Sequence, residues 1–163
     1  MPQDFLLQIQ RSMSEAYHDA GRYVKGVMQR KKLIQMAEQQ KVSPLELGYM
    51  YHGLGESQRE MGQVPDAVES YRKSLSLKQK AGADAVSLAK THFSMGECLA
   101  GGKKWDAALE AIGKARDLEE TSGAGDENHR VRLKKYWNTL GHVLQAAGKE
   151  EEAKQAIEKA ESL

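Results

Sequence analysis

The sequence predicts an all-α protein of about eight helices, folded as antiparallel pairs stacked into a solenoid. Three observations carry this. Small-residue anchors recur along the chain, apolar residues inside each recurrence keep helical spacing, and glycines or capping residues separate the segments. Gly55, Gly96 and Gly141 lie 41 and 45 residues apart, each preceded by a large apolar residue: Leu54, Met95 and Leu140. One interval earlier stands Ser14, with Met13 before it and Tyr17, Gly21, Tyr23 and Gly26 after it. Four units at 4–42, 43–82, 84–121 and 128–163 then account for nearly the whole chain of 163 residues, as a single domain with no linker.

The first unit is degenerate, with Arg30 at a position where the pattern wants a bulky apolar residue. The second opens on Ser43, Pro44, Leu45 and Glu46, which supply a serine cap, proline in the first turn and a capping-box glutamate. Tyr51, Leu54, Gln58 and Met61 then form one face, and Gly62 stops the helix in a left-handed residue. Ala67, Tyr71 and Ser74 stripe its second helix, which Gly82 closes. Asp84 caps the third unit, where His92, Met95 and Leu99 precede Ala108, Ile112 and Ala115. The stretch Thr121–Glu127 reads as the longest loop and explains the wider second interval. In the fourth unit Gly148 reverses the chain before Ala153, Ile157 and Ala160.

Composition narrows the function. Lys+Arg of 24 against Asp+Glu of 23 leaves a net charge of +1, without the basic excess of a polyanion binder. The single cysteine, Cys98, excludes an internal disulfide and a cysteine-rich zinc site, and points to an intracellular, cytoplasmic protein. No uncharged run is long enough to span a bilayer. His18, His52, His92, His129 and His142 stand on different helices with no i, i+4 pair, so no metal site is expected, and His92 reads as a satisfied core histidine. Cys98 has no base beside it and reads as a small buried hydrophobe. Gly123, Gly125 and Asp126 lack the third glycine and preceding strand of a phosphate loop. The basic run from His129 to Trp137 reads as ordinary helix faces rather than an RNA surface, as does Arg30, Lys31 and Lys32, taken as an exposed face. These features predict no catalysis and no cofactor.

The repeated residues resemble the tetratricopeptide repeat, and the long interval resembles the group that includes kinesin light chains and the LGN/Pins adaptors. The common form repeats every ~34 residues, so each unit here carries about two more helical turns. In that pattern Gly55, Gly96 and Gly141, with Ala67, Ala108 and Ala153 opposite, let the helices of a pair approach closely, and Tyr71, Ile112 and Ile157 bury against the following unit. Gln58 replaces an aromatic, Ser74 an alanine, and Lys103 stands where glycine would. The resemblance implies a right-handed superhelix and a binding scaffold without chemistry.

It also implies that the first helix of each pair lines a concave groove. The inward positions are Arg11, Glu15, His18 and Asp19, then Tyr49, His52, Glu56, Arg59 and Glu60, then Lys90, Phe93 and Glu97, then Lys135, Asn138 and His142. Glu15, Glu56 and Glu97 make a carboxylate ladder with a period of 41. With Asp19 and Glu60 it makes the N-terminal half of the groove acidic, while Lys90, Arg132, Lys135 and His142 make the other half basic. The expected ligand is a partner segment, helical or extended, with the opposite polarity. Glutamates occupy the positions where chaperone-binding members carry a clamp asparagine, which argues against Hsp70 or Hsp90 tails. The apolar stripe Ala153, Ile157, Ala160 and Leu163 has no following helix, so a longer chain, a partner or a second copy would cover it. Homodimerisation through this last pair is the alternative reading.

Overall fold

A computed structural model describes residues 3–122 and 128–163, with side chains from Gln8 onward. The described residues hold α1 (Gln3–Asp19), α2 (Tyr23–Gln39), α3 (Pro44–Glu60), α4 (Val64–Lys80), α5 (Ala85–Gly101), α6 (Trp105–Thr121), α7 (His129–Ala146) and α8 (Glu150–Glu161), and no strand. Two compact units result, Met1–Gly82 with α1–α4 and Ala83–Leu163 with α5–α8. Within each, consecutive helices pack on one another. No described helix is long and apolar enough to cross a membrane. Most of the expected loop, with Gly123, Gly125 and Asp126, lies outside the described residues.

The helix ends follow the local chemistry. Ser43 Oγ accepts from the Glu46 N–H at 3.2 Å, and Asp84 Oδ1 from the Ser87 N–H at 2.8 Å. After α3, the Gly62 N–H donates to the Arg59 carbonyl and the Gln63 N–H to the Gln58 carbonyl, with Gly62 at φ +71°. The same pair of bonds ends α5, but there the left-handed residue is Lys103, at φ +56°. A side chain in that conformation costs roughly 1 kcal/mol relative to glycine.

The anchor glycines set the distance between paired helices. A methyl on Gly55 would fall 2.7 Å from Tyr71 Cε1, one on Gly96 2.5 Å from Ile112 Cγ1, and one on Gly141 2.6 Å from Ile157 Cγ1. Tyr71, Ile112 and Ile157 each lie across the glycine of their own pair, because the missing Cβ leaves the space that the large side chain fills. Ile112 also shares an apolar cluster with Tyr136 and Leu140 of the following pair, as the pattern implies. The two polar departures are compensated. Ser70 Oγ donates to the buried Gln58 Oε1 at 2.6 Å, and buried Ser74 Oγ donates to the Gly48 carbonyl at 2.7 Å.

The stripe on α8 needs correcting. Ala153 and Ala160 are buried, and Ala153 joins Leu140, Val143 and Leu144 of α7 in one apolar cluster. Only Ile157 and Leu163 remain half-buried, because the alanines already meet the first helix of their own pair.

Candidate functional site

In the first unit the structure brings the expected residues of α1 and α3 together across α2. Arg11 reaches from α1 to Glu46 in the first turn of α3 at 2.8 Å. His18 Nδ1 lies 3.2 Å from Ser57 Oγ, and Arg30 Nε donates to the same oxygen at 3.0 Å. Arg11, Glu15 and Tyr49 line a cavity of about 420 Å³ whose apolar wall is Leu33, Leu45 and Met50. Glu15, Asp19 and Glu60 are exposed.

Arg30 is the residue that the sequence reading misplaced. Lys31 and Lys32 are exposed as expected, but Arg30 is half-buried, with its guanidinium against Gly53, where any Cβ would collide with it. Burial pushes its pKa down, and the charges of Glu15, Glu56 and Asp19 offset part of that. The N-terminal carboxylates thus have an internal counter-ion.

Glu56, the second rung of the expected ladder, is already engaged. Tyr71 Oη donates to its Oε1 at 2.6 Å, and Arg59 lies 3.1 Å from its Oε2. Arg59 also reaches Glu60 at 3.0 Å. His52 stands beside this group, 4.0 Å from Glu56. Burial, then the positive charge of Lys78, holds its pKa down at about 4 despite Glu56, so the ring is neutral near pH 7. Lys78 is itself buried, with Nζ 4.4 Å from the centre of the Tyr49 ring.

In the second unit the expected residues divide. Lys90 and His142 are exposed, Glu97 and Asn138 half-buried. Phe93 does not line an open face. It is 4% exposed and packs 4.7 Å from the Tyr136 ring, because α7 covers that side of α5. Lys135 is exposed and places its ammonium 4.6 Å from the Phe93 ring centre. Arg132, counted among the free basic residues, is instead committed. Its Nε donates to Glu119 Oε2 at 3.0 Å and its terminal nitrogen to Oε1 at 2.8 Å, while His129 Nδ1 lies 2.9 Å from Oε1. Glu119 is completely buried. Burial and then Glu119 push the Tyr136 pKa up to about 12, against the opposing pull of Arg132. Trp137 carries Arg116 on its ring at 4.6 Å and donates to Glu120 at 3.2 Å.

The remaining expectations place simply. Cys98 is buried. His92 is half-buried, but its Nδ1 has no hydrogen-bond partner, so it is not the satisfied histidine expected, and burial lowers its pKa. Among the described residues no group of His, Cys, Asp and Glu could hold a metal ion.

Two tetratricopeptide-repeat family models match the chain, one over residues 46–120 and the other over 134–163. No curated protein matches it. Among solved structures it is similar to BtubC (BKLC) from P. vanneervenii, at 16% identity and a TM-score of 0.90 over 99% of this chain. It spans 64% of the BtubC chain. It is similar as well to the nearly identical TPR-like repeats of a kinesin light chain from Podosopora anserina, at 16% identity and TM-score 0.78, covering 98% of this chain and 74% of that one. Against the apo form of RapI the values are 14% and 0.82, over 98% and 43%. At these identities the likeness establishes the fold, a solenoid of helix-pair repeats. The chain belongs to the tetratricopeptide-repeat family, whose repeats serve as scaffolds for protein–protein interaction.

Proposed function

We propose that this protein is a non-catalytic adaptor that binds a peptide or helical segment of a partner protein along the first helices of its repeats. The partner lays basic residues on the first unit and acidic residues on the second. The supporting observation is the exposed Glu15, Asp19 and Glu60 on α1 and α3, with Glu15 lining a cavity that has an apolar wall. Exposed Lys90 and Lys135, with exposed His142, put basic side chains on the first helices of the second unit. Binding needs no cofactor, and the reading fits a cytoplasmic protein with one buried thiol. The ligand is protein rather than nucleic acid, since Arg132 and His129 of the basic run serve Glu119.

A peptide array varying charge along the strand, followed by Kd measurement on the best binder, tests this. The double variant Glu15→Lys/Asp19→Lys, both exposed on the first unit, should weaken that binder at least tenfold. It spares Glu56, which Tyr71 needs. Undiminished affinity would sink the charge assignment. Self-association through α8 is the alternative, resting on the half-buried Ile157 and Leu163. A dimeric mass in sedimentation that Ile157→Glu abolishes would favour it.

A further inference from the structure

We infer that the cavity between α1, α2 and α3 is an anchor pocket for one basic side chain of the partner, an arginine or lysine whose aliphatic stem lies on Leu33, Leu45 and Met50 and whose charge meets Glu15. This rests on the adaptor reading and names the element that sets its register. The cavity, about 420 Å³ and open to solvent on one side, has room for one long side chain entering from outside.

The sign of the ligand follows from which polar groups are already committed. The Arg11 guanidinium is ion-paired to Glu46 at 2.8 Å. Ser14 Oγ donates to the Arg11 carbonyl at 2.7 Å, and Ser43 Oγ caps α3 by accepting from Glu46. Arg30 spends its Nε on Ser57 and lies against Gly53 on α3. Its charge faces three carboxylates, Glu15, Glu56 and Asp19. Glu15 differs from all of these. It is exposed, and among the described residues it makes no hydrogen bond or ion pair. Arg30 faces more carboxylates than it can neutralise, so a second cation can enter beside it and pair with Glu15, the lining carboxylate that no arginine contacts directly. Leu33 and Met50 are buried and Leu45 half-buried, so the wall offers the apolar track that a long basic side chain lies along.

The test is an amide-resolved NMR titration of the full chain with N-acetyl-arginine amide, with capped norleucine and capped glutamate as comparators. Saturable shifts at Ser14, Leu33 and Met50 are expected with arginine, with the apparent Kd at least fivefold weaker in Glu15→Gln. Glu15 is exposed, so that variant should fold as the parent does. Equal shifts with norleucine would reduce the cavity to an apolar dimple, and larger shifts with glutamate would reverse its sign. Either result overturns the proposal. So does the absence of shifts at these residues, and if Glu15→Lys/Asp19→Lys still abolishes peptide binding, the adaptor reading survives without this anchor.

Discussion

Each unit places a charged side chain where one helix pair meets the next, half-buried Arg30 in the first and fully buried Glu119 in the second, and they treat it differently. In the second, Glu119 of α6 is sealed from solvent and fully used, with Arg132 gripping both oxygens and His129 on one of them. In the first, Arg30 of α2 keeps one bond to Ser57 and otherwise faces Glu56, which Tyr71 and Arg59 already engage, and the exposed Glu15 and Asp19. A closed charge cluster fixes geometry and offers a ligand nothing. An open one leaves unused potential beside a cavity. On the proposed function, the contrast makes the first unit the place to look for recognition.

The largest effect should come from breaking the closed cluster. Arg132→Ala leaves Glu119 buried with only His129 to balance it, and should cost about 3 kcal/mol in denaturant unfolding. Arg30→Met should cost less than about 1 kcal/mol, because burial already disfavours its charge. Equal losses would erase the distinction between the units. Acid should also act on the first unit. The folded pKa of His52, about 4, lies below its ordinary 6.5, so its contribution is complete above pH 6.5 and declines as pH falls toward 4. Between pH 7.5 and 5 the loss should be on the order of 2 kcal/mol, and His52→Gln should remove it from the pH profile. Invariance of the wild-type profile over that range would count against the buried neutral ring. The smallest effects sharpen the packing of the second unit. Gly96→Ala should destabilise by about 1–2 kcal/mol, since the clash with Ile112 outweighs the gain in helix propensity. Gly113→Ala, with nothing within 4 Å of the added methyl, should instead stabilise by roughly 0.5–1 kcal/mol. Thermal unfolding of the two alanine variants should therefore move in opposite directions.

The helices were legible because their signals are local. Ser43 and Asp84 act within three residues, and the glycine anchors recur on a fixed interval. What escaped depends on neighbours that the pattern does not name. Arg30 looked like part of a basic surface run because Ser57 and Gly53 belong to the next pair. Glu119 attracted no notice, since its partners come from beyond the segment after α6. Phe93 shares its helix with residues expected in the groove, and only the packing of α7 shows that its direction is inward. The contacts of Tyr71 and Ile112 with Gly55 and Gly96 need the structure, because a glycine advertises close approach but not what approaches. Gln58 and Ser74 could have been read in advance, since two polar residues on buried stripes call for partners, and Ser70 and the Gly48 carbonyl provide them.

Because Glu119 ties the end of α6 to the start of α7 through Arg132 and His129, the final hairpin is seated by a buried charge as well as by its apolar face. A change of solvent acidity or salt therefore reaches its docking through a site that water does not.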